Sequence, residues 1–395
     1  MKPKIRFKGF EGEWKTSAIG DFTTSFSGGT PTAGASEFYG GNIPFIRSGE
    51  IHESKTELFL TDAGLNNSSA KVVEKGTLLY ALYGATSGEV GISKIKGAIN
   101  QAILAIYPNK TVDKRFLANY LQSHKQKIVG ELLQGGQGNL SGALVKSISV
   151  NYPNNREQQA ISDYVDSLDS QISASTSRLA SLKQMKAASL QAMFPQEGKT
   201  VPKIRFKGFE GEWKKVKFSE LYERSSIKND LSFGTDKIIS VANMYFIKNS
   251  RQVDDDYLRS YNIMRLGDIA FEGNKSKNFA HGRLVENTIG DGIVSHVFIV
   301  MKPISKNYDL NFWKYYINNE NIMGNILVRS TKSSTMMTDL VVDDFLKESI
   351  LVPSYEEQIE IGKILTSLDR QISLQSQRLE KLKQIKSACL DKMFV

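Results

Sequence analysis

Pro-Lys-Ile-Arg-Phe-Lys-Gly-Phe-Glu-Gly-Glu-Trp-Lys occupies residues 3–15 and recurs without a change at residues 202–214. A second stretch, residues 167–194, returns in similar form at residues 367–394, so the chain is a tandem of two units of roughly 200 residues. The residues between these markers barely match. A constant frame around two divergent inserts predicts one scaffold that carries two different binding surfaces. We call residues 3–15 and 202–214 the repeat segments.

The composition is that of an ordinary globular protein with a basic excess. The chain has 395 residues, of which 40% are hydrophobic and 24% charged, and its net charge is +9. This excess favours a polyanionic partner, although solvated surface lysines explain it almost as well. One cysteine, Cys389, excludes an internal disulfide framework. One cysteine and four histidines do not build a usual zinc site, so we expect no metal.

Targeting signals are missing from the sequence. The N-terminal residues lack an apolar signal region, and no run approaches eighteen apolar residues. We therefore expect a cytoplasmic protein.

A long amphipathic helix is predicted at the end of each unit. Asn154 and Ser354 are suited to be N-caps, with Glu157 and Glu357 in capping-box position. Residues 157–194 would form a helix of roughly 57 Å at 1.5 Å per residue. Apolar residues recur at steps of three and four. Those assigned to a helix-pair interface are Leu168, Ile172, Leu179, Leu182, Leu368, Ile372, Leu379 and Leu382.

The two long helices match in length and stripe, which favours pairing as an antiparallel coiled-coil-like pair. The stripe does not fix the orientation. We favour the antiparallel form because it would place the variable blocks at opposite ends. Packing of each helix on its own block remains the alternative.

The sequence patterns of the variable blocks predict an α+β fold. In the first block, residues 43–46, 76–82 and 98–107 are typical of strands, and residues 115–133 of a helix. The second block repeats this order faintly: residues 267–271 correspond to 76–80, and residues 295–300 correspond to 100–105. Apolar positions persist while polar positions change, which indicates one fold with two surfaces.

Known catalytic motifs are missing. The sequence has no phosphate-binding Gly-x-x-x-x-Gly-Lys-Ser/Thr loop, no His-Glu-x-x-His and no Gly-x-Ser-x-Gly elbow. We therefore predict a binding protein without catalytic residues.

Polar, glycine-rich loops in both blocks are the candidate binding sites. Arg is suited to guanine edges, Asn and Gln to adenine, and Lys, Ser and Thr to phosphates. For each single loop, an ordinary surface turn remains the alternative. The predicted DNA contacts are Thr30, Arg47, Ser48, Tyr83, Thr86, Ser87, Gln134, Gln137, Asn139, Asn243, Tyr245, Asn274, Lys275, Lys277, Asn278, His281, Arg283, Arg329 and Lys332.

Together these features make the chain resemble the specificity subunit of type I restriction–modification systems. The resemblance covers essentially the whole chain. It is carried by the repeat segments, residues 28–31 and 43–49, residues 138–141, the patterns Pro153…Glu157-Gln158…Ile161 and Pro353…Glu357-Gln358…Ile361, and the helices that follow them. The second block departs from the pattern, because it lacks the Gly-Gly-Thr-Pro and Ile-Pro-Phe-Ile-Arg-Ser signatures.

The resemblance implies a non-catalytic subunit whose variable blocks each read one half of a split DNA site. It implies that the paired helices act as a spacer and dock two methyltransferase subunits, with restriction subunits joining through the complex. S-adenosylmethionine, ATP and Mg²⁺ are expected on those partners, and no cofactor on this chain.

The resemblance also suggests domain boundaries. Residues 1–153 and 201–353 would be target recognition domains, and residues 154–200 and 354–395 central and C-terminal helical regions. The predicted fold is α+β: two α/β recognition domains separated by two long helices, related by a pseudo-twofold repeat.

Two other functions stay open on the residues alone. One is a stand-alone DNA-binding regulator, and the other is a structural adaptor whose loops bind protein. In every case the repeat segments, with Phe7, Phe10 and Trp14 recurring as Phe206, Phe209 and Trp213, are expected to pack the blocks onto the helices rather than contact DNA.

Overall fold

The computed structural model describes residues 2–133, 139–248, 254–333 and 337–395. The chain forms two compact units, neither of which is continuous in sequence. Unit 1 comprises Met1–Thr176 and Gln377–Val395, and unit 2 comprises Ser177–Ser376. The boundary falls inside both long helices, so each unit combines one variable block with parts of both helical repeats.

Unit 1 is built on two four-stranded sheets. One has the order β2-β9-β6-β7 and is antiparallel throughout; the other has the order β4-β3-β8-β5, in which β3 and β8 are parallel. The strands β1–β10 are Lys15–Ala18, Thr23–Ser27, Tyr39–Ile46, Leu58–Leu60, Lys71–Val73, Leu78–Ala81, Val90–Ile92, Gly97–Ile99, Ile103–Pro108 and Ser149–Tyr152. The helices α1–α6 are Ile19–Phe22, Asp62–Asn66, Lys114–Ser123, Lys125–Leu132, Gly142–Ser147 and Asn155–Ala192.

Unit 2 repeats the first sheet as β12-β19-β16-β17. Its second layer is smaller: β15 pairs with β18 and β13 with β14, and a parallel bridge joins Ile238 to Ile293. The strands β11–β22 are Lys214–Lys217, Tyr222–Ser225, Ile239–Ser240, Tyr245–Phe246, Asn262–Met264, Ile269–Glu272, Arg283–Glu286, Gly292–Val294, Ile299–Pro303, Thr331–Ser333, Thr338–Leu340 and Ser349–Val352. The helices α7–α12 are Phe218–Leu221, Asp255–Ser260, Leu310–Tyr316, Glu320–Ser330, Val342–Lys347 and Tyr355–Met393.

Strand register confirms the predicted correspondence between the blocks. Leu79 pairs with Ala105 in unit 1 as Ala270 pairs with Val300 in unit 2, so residues 76–80 and 267–271 are equivalent. The glycines that begin these segments, Gly76 and Gly267, both have φ of 89°, a left-handed conformation that favours glycine.

One predicted strand is in fact two. Residues 98–107 divide into β8 and β9 because Asn100 forms a turn: its side-chain oxygen accepts from the backbone N–H of Ala102, and its carbonyl accepts from the N–H of Ile103. The predicted helix 115–133 likewise divides into α3 and α4 at His124.

The long helices begin where the caps predict. The side-chain oxygens of Asn154 and Ser354 accept from the backbone N–H of Glu157 and Glu357 at 3.0 and 3.3 Å. The two glutamates do not complete the predicted capping boxes, because their carboxylates have other partners.

A buried ion pair fixes each repeat segment to the first turn of a long helix. The Arg6 guanidinium donates to both carboxylate oxygens of Glu157 at 2.7 Å, and Arg205 does the same to Glu357. Arg6 also donates to the backbone carbonyl oxygens of Glu11 and Gly12, and Arg205 donates to that of Gly211. The segment is therefore folded around one guanidinium and held to the helix by it.

The aromatic residues of the repeat segments pack as predicted. The Phe7 ring meets Tyr164 of α6 edge-on at 5.6 Å, and buried Trp14 lies 5.7 Å from Phe116. In unit 2, Trp213 is equally buried, and its ring lies 6.1 Å from Phe312. Phe7, Trp14, Phe206 and Trp213 thus belong to or pack against the hydrophobic cores, whereas Phe10 and Phe209 are half-buried outside these clusters.

Within each unit the α6 and α12 parts run antiparallel. In unit 1, Ile161 of α6 lies in one hydrophobic cluster with Met393 at the end of α12, and Asp169, further along α6, accepts from Lys386, earlier on α12. In unit 2, Lys186 donates to Asp369 at 2.5 Å, and Leu190, further along α6, packs against the hydrophobic cluster that contains Ile361, earlier on α12. The predicted interface residues divide by burial: Leu168, Leu182, Leu368 and Leu382 are buried, whereas Ile172, Leu179, Ile372 and Leu379 are half-buried.

None of the helices among the described residues combines the length and apolarity needed to cross a membrane.

Candidate nucleic-acid interface

One end of the first sheet in unit 1 gathers the predicted loops. Ser27 at the end of β2 pairs with Leu104 near the start of β9, and Ala81 at the end of β6 pairs with Ile103. The loops 28–31, 82–89 and 100–102 must therefore meet at this end. Ile46 pairs in parallel with Ile99 at the end of β8, which brings the segment after β3 to the same edge. We call this edge the loop end of the sheet.

Residues predicted from separate stretches come together there. The Thr30 hydroxyl donates to the Gln101 side-chain oxygen at 2.5 Å. Tyr83 is bridged to Asn139 by backbone pairing, and both are exposed. Thr86 is half-buried and donates to the Tyr83 carbonyl.

Ser87 differs from its neighbours, because it is buried and its hydroxyl donates to the Leu82 carbonyl at 3.1 Å. Its side chain therefore serves the turn itself. Gln134 and Gln137 lie outside the described residues.

Arg47 and Ser48 begin the segment after β3. The Arg47 guanidinium donates to Glu50 at 2.9 Å and to Glu57 at 2.7 Å. Burial disfavours the charged form of Glu50, but hydrogen bonds from Arg47 outweigh it and lower the pKa of Glu50 to about 2. Arg47 is 40% exposed in its side chain and Glu57 is 81% exposed, so only the Glu57 contact faces open solvent.

Unit 2 has the same loop end. Ser225 pairs with Val300 and Phe271 with Ile299, so the segments 226–229, 273–282 and 295–298 meet there. Asn274 is bridged to Met337 as Tyr83 is bridged to Asn139. The predicted residues that this unit exposes are Asn243, Tyr245, Asn274, Lys275, Lys277, Asn278, Arg329 and Lys332, with His281 and Arg283 half-buried.

Arg283 occupies a tethering position in unit 2. Its guanidinium donates to buried Glu272 at 2.6 Å and to the Ala242 carbonyl at 2.7 Å, and it lies 4.9 Å from the centre of the Phe279 ring. These contacts join the hairpin loop 273–282 to the segment after β13. Arg283 therefore holds two loops together.

Arg329 is not in a loop. It lies on α10 because the helix continues to Ser330, and its guanidinium forms two hydrogen bonds with the Glu348 carboxylate at 2.9 and 2.7 Å.

The equivalent tether in unit 1 was not predicted from the sequence. Glu89, the last residue of the hairpin loop, accepts from Lys125 at 2.5 Å and lies 3.5 Å from the His52 ring. The hydrogen bond from Lys125 lowers the pKa of Glu89. Lys125 lies 36 positions and His52 lies 37 positions from Glu89 along the chain, so no local pattern could have paired them.

A buried polar chain in unit 2 was also missed. The Tyr308 hydroxyl donates to Glu286 at 2.7 Å and lies 2.9 Å from the Tyr222 hydroxyl. Burial raises the pKa of Glu286 well above its usual range, which favours the neutral carboxylic acid.

The comparison with known families reflects the internal repeat, because each half of the chain matches the same family. The profile of the family described as Type I restriction modification DNA specificity domain matches twice, at residues 11–184 and 210–384. The MjaIX type I restriction enzyme specificity subunit of Methanocaldococcus jannaschii is 29% identical over 168 residues, which cover 40% of this chain and 38% of that protein. The MjaVIII specificity subunit of the same organism is 20% identical over 404 residues, covering 96% and 91%.

A solved structure agrees in fold. The crystal structure of the type I restriction–modification S subunit from M. genitalium matches 100% of this chain and 99% of its own, with a TM-score of 0.60 and 15% identity.

Proposed function

Since this chain belongs to the family of type I restriction modification DNA specificity domains, we propose that it is the non-catalytic specificity subunit of a restriction–modification complex. It reads an asymmetric, bipartite DNA site, one half at the loop end of each unit. The observation that carries this proposal is the pair of equivalent loop ends, which present different polar side chains on the same sheet. Different side chains on one scaffold lead to two unlike half-sites.

The chemistry of the loop ends suits duplex DNA. Unit 2 exposes Lys275, Lys277 and Lys332 beside Asn274 and Asn278, a combination that supplies phosphate contacts and adenine-edge contacts. In unit 1, the Arg47–Glu57 pair is the exposed part of an ion network. On binding, a guanine or phosphate would take the place of Glu57 on the guanidinium.

The long helices provide the frame. They dock two methyltransferase subunits and, through the complex, the restriction subunits, and their length sets the unread gap between the half-sites. S-adenosylmethionine, ATP and Mg²⁺ then belong to those partners, and the complex works in the cytoplasm.

The test is methylome sequencing of cells that express the chain with its methyltransferase subunit, for wild type, Arg47→Ala and Lys277→Ala. We expect a bipartite methylated site in wild type. Arg47→Ala should relax the unit 1 half-site only, at a cost of roughly 1–3 kcal/mol if the guanidinium reads a base. A phosphate contact at Lys277 would weaken binding uniformly and lower the salt slope by about one.

Lys96→Ala is the matched control, because Lys96 carries an exposed charge in the turn at the opposite end of the unit 1 sheets. It should leave the site unchanged. Salt-sensitive duplex binding without methylation would support the stand-alone regulator instead. A chain that bound neither DNA nor a methyltransferase would overturn the proposal.

A further inference from the structure

The turn that precedes β9 in unit 1 differs from the turn that precedes β19 in unit 2 in a way that sequence comparison did not reveal. In unit 1, the tip of the β8–β9 turn is Gln101-Ala102, and Gln101 is engaged by Thr30. In unit 2, the tip of the β18–β19 turn is His296-Val297. Both turns are closed by the same backbone hydrogen bond, from Ile103 to Asn100 and from Phe298 to Ser295.

The unit 2 tip exposes apolar surface where unit 1 is small or polar. Val297 is 63% exposed, whereas Ala102 at the equivalent position is 7% exposed. Ile227, which the strand register aligns with Gly28, is 51% exposed. Tyr257 is 49% exposed, and its ring meets His296 edge-on at 6.5 Å.

Asn262 joins these residues into one patch. Its side-chain amide donates to the Phe298 carbonyl at 3.0 Å, and its oxygen accepts from Lys228 at 2.7 Å. The neighbours of Val297 and Ile227 are therefore bound to a single buried side chain. We call Ile227, Tyr257, His296 and Val297 the apolar tip.

We infer that the apolar tip is a specificity element that contacts the C5-methyl group of a thymine in the major groove of the half-site that unit 2 reads. The inference rests on the proposed function. The tip lies at the same loop end as the exposed Asn274 and Lys277, and Lys228 brings a positive charge to its edge. Apolar contact with the thymine methyl is the way a Val or Ile side chain distinguishes a base.

A protein partner is the other class of ligand for an exposed apolar patch. DNA is favoured because the patch is continuous with the polar loops of the loop end and replaces the Thr30–Gln101 pair of unit 1. A docking surface for a protein would not need to coincide with that edge.

The experiment uses the assembled complex with its methyltransferase subunit and duplexes that carry the mapped site. Each thymine in both half-sites is replaced, one at a time, by deoxyuridine, which lacks only the methyl group. With wild type, we expect one position in one half-site to weaken binding about four-fold, the effect of removing one buried methyl group. Val297→Ala should bind the thymine and deoxyuridine duplexes equally at that position.

Ile227→Ser provides a second variant, and Ile304→Ser is the matched control. Ile304 is 45% exposed but follows β19 at the opposite end of the sheet, so its replacement should leave the methyl dependence intact. A complex that methylates a bipartite site but has no methyl-dependent thymine would overturn this inference alone. Loss of assembly in Val297→Ala would assign the tip to a protein partner and also overturn it. A complex that recognises no bipartite site would overturn the proposed function itself.

Discussion

The junctions with the helices and the loop ends of the sheets lie in the same two units, yet they diverge to opposite degrees. At the junctions, Arg6–Glu157 and Arg205–Glu357 repeat the same hydrogen bonds at the same 2.7 Å. At the loop ends, Glu89 ties two segments together in unit 1, whereas Arg283 does so in unit 2. The polar turn at Gln101 in unit 1 is replaced by an apolar turn at Val297 in unit 2. The contrast teaches that the sheet tolerates almost any loop chemistry as long as its attachment to the helices is kept.

The largest expected effect comes from lengthening the helices, which changes the frame and leaves the loop ends alone. Four helical residues inserted after Thr176 and four after Ser376 add roughly 6 Å. We expect loss of the original site and a gap longer by about two base pairs, at 3.4 Å each. Methylome sequencing measures the gap. An unchanged gap would show that the helices are not the ruler, and four residues added to the 93–96 turn serve as the control.

The second-largest effect is expected from breaking one junction, the ion pair that holds a repeat segment to its long helix. Arg6→Ala leaves the fully buried Glu157 carboxylate without its cation, at a cost of about 3–5 kcal/mol in the stability of unit 1. Arg205→Ala should cost the same in unit 2. Urea unfolding, followed separately in each unit by hydrogen exchange, measures both losses.

The double replacement Arg6→Met with Glu157→Leu is the control for this prediction, because an apolar pair of similar volume should recover most of the stability. Equal destabilisation of both units by Arg6→Ala would contradict the independence of the two junctions.

A smaller effect is a difference between the two units in the pH dependence of their stability. Burial raises the pKa of Asp268 to about 6 from its ordinary 3.8. The folded state therefore binds this proton more tightly, and the stability of unit 2 falls as the pH rises from about 4 to 6. Asp268→Asn should stabilise unit 2 at pH 8 by roughly 3 kcal/mol at most, at 1.36 kcal/mol per pKa unit, and change little at pH 4.

Glu50→Gln in unit 1 tests the opposite sign. Since its pKa is lowered to about 2, the carboxylate contributes stability above pH 4.5 that is lost as the pH falls towards 2. Urea unfolding at pH 4, 6 and 8 measures the stability of both variants relative to wild type. The two differences in stability should have opposite signs, and differences of the same sign would contradict the pKa directions given for Asp268 and Glu50.

The repeat made the frame predictable from sequence. Helix caps at Asn154 and Ser354, the packing of Phe7 and Trp14, and the correspondence of residues 76–80 with 267–271 all followed from local patterns. These features depend on residues close in sequence or on the comparison of two copies.

The loop ends were less predictable, because some of their contacts join distant residues, such as Lys125 with Glu89 and Arg283 with Ala242, and others depend on how a loop turns. Nothing near Arg47 indicates that Glu57 will hold its guanidinium, and the run 98–107 hides the turn at Asn100. The sequence did not indicate that Val297 is exposed, because an apolar residue beside a strand usually lies in the hydrophobic core. Only the sheet topology shows that it projects from the loop end.

The close packing of Gly28 limits how the two loop ends can evolve into one another. A Cβ atom at Gly28 would lie 1.8 Å from the Ile99 carbonyl oxygen, whereas the aligned position in unit 2 carries a full isoleucine. Hence no single substitution can give unit 1 the apolar edge of unit 2; the backbone after β2 must first move away from β8. Each recognition surface is therefore confined to a family of related specificities by its main chain, and a change of chemical class requires replacement of the whole block.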